Sequence, residues 1–228
     1  MRSRSLALCG VLAPLLYIGT VIIGGFLRPS YNHISQAVSD LIATGAPNKA
    51  LLDPLFSLYN LLSIGFAVGL FQYVHSDFQQ PRKLVGEIGA FVLIAQGIIG
   101  LATLFFPEPA GGMTAAITST GKLHIVFAGL SSLTTMLSIL LMGLWFKVSQ
   151  RHRKYASYSF LSVAIVFLTG GLAAVCVAHQ SPFAGLVERI TIGGFMQWLF
   201  VIALAMACGA RAQNRQDGCI TNNGKLKP

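Results

Sequence analysis

The sequence predicts an all-α polytopic membrane protein: a bundle of six transmembrane helices with a short amphipathic helix in the first outer loop. Three observations predict it. Of 228 residues, 54% are hydrophobic and only 10% charged, against about 25% charged in soluble domains. One soluble core of this size could not hide so much apolar surface. Six apolar stretches each run for roughly 20 residues, enough to cross ~30 Å of hydrocarbon at about 1.5 Å per residue. Lysine and arginine gather on alternate loops between those stretches.

The spans fall at about Leu6 to Leu27, Pro54 to His75, Leu84 to Phe106, Leu123 to Phe146, Ser157 to Ala178 and Ile190 to Ala210. The first could pass for a secretory signal, since Arg2 and Arg4 precede it. Its apolar run is too long and no A-x-A cleavage site follows, so it reads as a retained helix. Residues 1–210 then form one transmembrane domain. The tail over 211–228 is polar and rich in Gly, Asn and Lys, which predicts a flexible cytoplasmic segment.

Orientation follows from the basic residues. Twelve Lys or Arg lie on the side that holds both termini, the Arg82–Lys83 loop and the Lys147–Lys154 loop. Four lie on the other side: Arg28, Lys49, Lys122 and Arg189. This bias predicts cytoplasmic termini in the cell (inner or plasma) membrane. The net charge of +9 is therefore an orientation and headgroup signal, not a nucleic-acid footprint, and membrane lipids are the expected partners. Oligomeric state is open. Cys9, Cys176, Cys208 and Cys219 show neither CxxC nor zinc-finger spacing and read as unpaired thiols.

The first outer loop, Arg28 to Asp53, is the longest. At about 100° per residue, Ile34, Ala37, Val38, Leu41 and Ile42 share one side, with His33, Ser35, Gln36, Ser39 and Asp40 opposite. Asn32 is a fit N-cap and Gly45 a fit stop. The pattern predicts a surface helix over 33–43 that acts as a lid, its polar stripe facing either solvent or a cavity among the spans.

The other outer segments supply candidate site residues. His124 enters the fourth span just below the interface, where a histidine is either a helix contact or a site group. Glu188 suits the positive N-terminal end of the sixth span. Arg189 is at the wrong end for the dipole and needs a partner, a carboxylate or a ligand. Asn60, Gln96 and Gln197 suit helix-to-helix hydrogen bonds, with Asn60 kept as a candidate. The expected pocket residues are thus His33, Ser35, Asp40, Asn60, His124, Glu188 and Arg189. No catalytic residue is assigned.

Metal and cofactor signals are weak. His33, His124 and His179 with an aspartate could hold zinc, but no HExxH-type spacing exists. No facing mid-membrane histidine pair suggests haem, and no GxSxG elbow suggests a serine hydrolase. The sequence calls for no cofactor and no metal.

The segment Tyr31 to Pro47, with His33-Ile34-Ser35, Ser39-Asp40-Leu41 and Ala43-Thr44-Gly45-Ala46-Pro47, resembles the first-loop motif of an uncharacterised prokaryotic family of six-span membrane proteins. That family carries a domain of unknown function and is distantly similar to the Frag1/DRAM/Sfk1 membrane proteins. Phe106-Pro107, Gly121 with His124, and Gly185-Leu186 with Glu188-Arg189 and Trp198 extend the resemblance to about Arg211. This chain has Asp40 where a glutamate is more usual, a carboxylate shorter by one methylene. The resemblance implies fold and location and no established reaction.

The first functional expectation is a membrane protein that holds a small polar or lipid-like ligand in an outer-facing pocket. A membrane-embedded lipid hydrolase, metal-dependent or not, is the alternative. A small transporter or accessory subunit is a third, disfavoured by the lack of an inverted repeat. Whether the chain is an enzyme stays open at this level.

Overall fold

The computed structural model describes residues 2–76, 82–112, 118–149 and 152–223, the side chains of 2–4 and 209–223 excepted. Six helices carry the fold: α1 Arg2–Phe26, α2 Lys49–Ser76, α3 Lys83–Phe105, α4 Ser119–Val148, α5 Lys154–Ala178 and α6 Ala184–Asn223. There is no strand among the described residues. All six are long and apolar enough to cross a membrane, and the chain is a multi-pass membrane protein.

Several helices start earlier than hydropathy alone suggests, because local polar contacts extend them. The Asn48 carbonyl accepts from the Leu51 and Leu52 N–H groups, and Lys49 pairs with Asp53 at 2.7 Å, so α2 gains a turn ahead of Pro54. Thr118 caps α4, its hydroxyl accepting from the Gly121 N–H at 3.2 Å. The α6 backbone stays helical to Asn223, into the stretch for which a flexible tail is expected; no proline interrupts it there. Residues 224–228 lie outside the described residues.

Each helix packs on the next in sequence, and α6 closes on α1, so the six form a ring. Short connections between packed neighbours make the bundle run up and down. Both termini and the α2–α3 and α4–α5 loops therefore share one end, the terminal end. The described loop residues 27–48, 106–112 and 179–183 share the other, the roofed end. The main core fills the ring with Phe66, Leu70, Leu93, Ile139, Trp145 and Trp198, each with none or 1% of its surface exposed. Leucines and isoleucines such as Leu12, Leu15, Ile22, Leu61 and Leu133 point outward, half exposed, as lipid requires.

Polar side chains join neighbouring helices. Gln197 donates to the Ser162 hydroxyl at 2.8 Å, Trp198 to Ser159 at 2.9 Å and Gln96 to Ser131 at 3.4 Å. In low dielectric such bonds replace those that water would make. Residues 125–134 and 167–178 contain no buried residue.

The roof corrects one expectation. Residues 33–43 do not form an amphipathic α-helix. They are turns ending in a single 3-10 turn, Ser39–Ile42. Side chains take the backbone groups that a helix would use. Asn32 Oδ1 accepts from the Ile34 N–H at 2.8 Å, Gln36 Oε1 from the Asn32 N–H at 2.7 Å, and Asp40 Oδ2 from the Ala37 N–H at 3.0 Å. Short polar side chains compete with helix in this way. The apolar side still docks: Tyr31, Val38 and Leu41 pack with Val21, Leu52 and Phe56 in a second core. Ile34 is the exception and stays half exposed. Gly45 ends the roof in a left-handed turn with φ 78°.

Candidate functional site at the roofed end

The first turn of α6 anchors the roof. The Leu186 N–H donates to the Ile34 carbonyl at 2.8 Å, and Glu188 Oε2 accepts from the Val38 N–H at 3.1 Å. Both satisfy backbone groups that a loop buried at a helix end would otherwise leave orphaned. Gly185 makes the approach possible. A Cβ there would lie 2.2 Å from the Gln36 carbonyl oxygen. Gly25 of α1 plays the same part for His33, whose Nε2 would stand 2.2 Å from an added Cβ.

Arg189 stands at the centre. Its Nη1 donates to the Gln36 and Gly185 carbonyls, both at 2.8 Å, and its Nη2 donates to the Tyr31 hydroxyl. The Tyr31 hydroxyl in turn donates to the Ala37 carbonyl. The guanidiniums of Arg189 and Arg28 lie 5.6 and 5.9 Å from the centre of the Tyr31 ring, within cation–π range. Arg28 donates to the Asp40 carbonyl at 2.7 Å.

The expected carboxylate partner of Arg189 is not there. Among the described residues Arg189 makes no ion pair. Glu188 and Asp40 spend their carboxylates on backbone N–H groups of the roof. The Arg189 Nε is buried without a hydrogen-bond partner. The sequence marks Arg189 as needing a partner, a carboxylate or a ligand. Carbonyls supply it, and every residue carries one, so no residue pattern foretells that choice.

Below Arg189 lies a cavity of about 450 Å³ between α1 and α6. Its walls are apolar: Tyr17, Ile18, Val21 and Ile22 from α1, and Ile192, Gly193 and Met196 from α6. His33, Val38 and Arg189 close its upper end. Such a volume is within the roughly 300–1,000 Å³ typical of small-molecule sites. The arrangement offers an apolar slot with a cation at its head. Burial and the neighbouring Arg189 cation both push the His33 ring below its ordinary pKa, favouring neutral imidazole.

The other candidates lie elsewhere. Ser35 is exposed on the roof's outer surface. Asn60 is buried in α2, donating to the Phe56 carbonyl at 2.9 Å and wedged against Gly100 of α3. His124 is buried at the start of α4, its Nδ1 bound to the Phe106 carbonyl at 2.8 Å, where it closes the end of α3. None of the three lines the cavity. No group of three His, Cys, Asp or Glu among the described residues is placed to hold a metal ion.

Tyr31 and Glu108 are the residues that pattern reasoning passes over. Tyr31 begins the quoted loop motif, and an aromatic with a hydroxyl at a membrane interface is a usable signal. Glu108, in the α3–α4 loop, is 1% exposed, and its Oε2 has no hydrogen-bond partner. Its backbone carbonyl accepts from the Thr44 N–H at 2.8 Å, and Gly112 sits beside both its carboxylate and that of Asp40. Burial pushes Glu108 up to about 7, with Asp40 adding to the rise and Ser39 opposing it. Burial also raises Asp40, against the pull of the Ala37 N–H and of Arg28 and Arg189.

No curated protein and no solved structure matches the chain. A family model described as "Protein of unknown function (DUF998)" matches residues 11–205, nearly all of the six-helix ring, and the chain belongs to that family.

Proposed function

We propose that this protein holds a small amphipathic ligand, an acidic or hydrogen-bond-accepting head on an apolar body, in the cavity at its roofed end. One observation carries the reading. The Arg189 guanidinium closes the head of an apolar cavity without a carboxylate of its own. Arg189 is half-buried, and a cation withdrawn from water at a membrane interface is costly unless a countercharge reaches it. An anionic head would add charge-assisted hydrogen bonds, and the hydrocarbon would replace lipid against Ile18, Val21 and Met196. The basic residues, twelve against four, favour placing this end at the outer leaflet of the cell membrane with both termini cytoplasmic.

The experiment is extraction and mass spectrometry of amphiphiles that co-purify with the full chain in detergent. Arg189 also clamps the roof, so an Arg189→Gln variant alone would confuse ligand loss with misfolding. Gly193→Leu separates them: Gly193 lines the cavity and makes none of the roof contacts, and a Cβ there meets no atom within 4 Å, so the added side chain starts from open space. A retained amphiphile that is lost from Gly193→Leu at unchanged melting temperature supports the reading. Equal retention by both proteins, or no amphiphile in either, overturns it.

A further inference from the structure

The terminal end holds a second cavity, of about 280 Å³. It is formed by α2, α4, α5 and α6, which are not all neighbours in the ring, so it opens into the middle of the bundle. Its floor is apolar, with Leu70, Phe146, Ile202 and Met206. Among the described residues its polar lining is Tyr73, His152, Lys154 and Tyr155, with no carboxylate.

The polar groups are held in place. The His152 ring stacks on Trp145 at 5.6 Å and 21°, with Tyr73 edge-on at 5.6 Å. Its Nε2 is 2.8 Å from the Tyr73 hydroxyl and its Nδ1 is 2.9 Å from the Ser149 hydroxyl. Both ring nitrogens are therefore engaged, which fixes the imidazole as part of the wall. Lys154 lies 5.1 Å above the Tyr155 ring and makes no ion pair among the described residues. This is also the end that carries most of the Lys and Arg of the chain. A wall with cationic and hydroxyl groups and no acid selects an anion. An apolar floor beneath it selects an anion attached to hydrocarbon. Basic pockets between transmembrane helices suit phosphate headgroups.

From this juxtaposition we infer that the central cavity of the terminal end is a second binding site, for a phosphate-headed amphiphile, with Lys154 at the head and Leu70, Ile202 and Met206 against the apolar body. It shares no lining residue with the roofed-end cavity. Its fate is therefore independent of the function proposed above.

The test is thermal stabilisation of the full chain in neutral detergent by dioctanoyl phosphatidic acid. Dioctanoyl phosphatidylcholine, phenyl phosphate and glycerol 3-phosphate are the comparisons. Lys154→Gln removes the head contact, and Ala205→Phe fills the floor. Lys147→Gln is the control, an exposed cation at the same end that does not line the cavity. Loss of one charge-assisted contact should weaken the phosphatidic acid effect at least about tenfold in concentration. The expected pattern is a strong effect of phosphatidic acid, weakened by Lys154→Gln and Ala205→Phe and unchanged by Lys147→Gln. If phosphatidic acid acts alone, the leaflet is the source. If phenyl phosphate acts as well, the source extends to solution, and the site stands in both cases. Equal stabilisation by phosphatidylcholine or by glycerol 3-phosphate, equal loss in Lys147→Gln, or no loss in Lys154→Gln overturns it.

Discussion

Glu188 and Val38, 150 residues apart in sequence, are joined by one hydrogen bond, from the Val38 N–H to Glu188 Oε2 at 3.1 Å. The Val38 side chain is 5% exposed, so this bond seats an apolar anchor as well as a backbone donor. Glu188→Ala would leave the Val38 N–H unpaired beneath the roof, at about 1–3 kcal/mol. At roughly 2–4 °C per kcal/mol for a chain of this size, the melting temperature in detergent should fall by several degrees. Glu188→Gln keeps an acceptor oxygen and should fall less. Equal losses in the two variants would show that the charge, not the acceptor, holds the roof.

Two glycines should respond to alanine in opposite directions. At Gly185 a Cβ would meet the Gln36 carbonyl at 2.2 Å, a backbone atom with little room to yield. Gly185→Ala should lift the roof and destabilise by about 1–3 kcal/mol. At Gly171 of α5 a Cβ meets nothing within 4 Å. Gly171→Ala should stabilise by roughly 0.5–1 kcal/mol through helix propensity alone. Melting curves of both proteins, side by side, decide it.

The six spans are legible in the sequence because the bilayer makes length and apolarity decisive. The roof is legible only in part. Its period-3.6 pattern places Val38 and Leu41 in the core, and they are there. The same pattern implies helix, and helix loses to local caps from Asn32, Gln36 and Asp40 together with two contacts that no local window contains: Leu186 N–H on Ile34, and Glu188 on Val38. Ser35, Asn60 and His124 share the polarity of a site residue without lining the cavity, because polarity near an interface does not encode direction. The His152 cluster is harder still. Trp145, Ser149 and His152 are close in sequence, but Tyr73 reaches them from α2, 79 residues from His152, and only the folded bundle brings it there.

The proposed orientation makes a labelling prediction. On a cysteine-free background, single cysteines at Ser35 and Ala110 should react with an impermeant thiol reagent from outside intact cells, and one at Arg153 only after permeabilisation. All three positions are exposed. Glu108, though in the same loop as Ala110, is buried and is a poor reporter. Labelling of Arg153→Cys from outside would reverse the bundle in the membrane.

Glu108 should make roof stability depend on pH, and the sign is fixed by its environment. Burial raises this carboxyl from 4.5 to about 7 in the folded chain. The folded state therefore binds its proton more tightly than the unfolded state does. Below about pH 4.5 both states are protonated and the stabilisation is fully present. As pH rises towards 7 the unfolded chain gives up its proton first, and stability falls. Above that range the folded chain carries a buried charge whose Oε2 has no hydrogen-bond partner. A shift of this size corresponds to on the order of 3 kcal/mol across the window. Asp40, raised by its own burial, tilts the profile the same way, so wild type alone does not isolate Glu108. The comparison with Glu108→Gln does, because the amide is neutral throughout. Melting temperatures from pH 4.5 to 8 should decline more steeply in wild type than in Glu108→Gln, with the two proteins diverging most above pH 7. Parallel profiles would mean that Glu108 keeps an ordinary carboxyl pKa and that water or an ion reaches it beneath the roof.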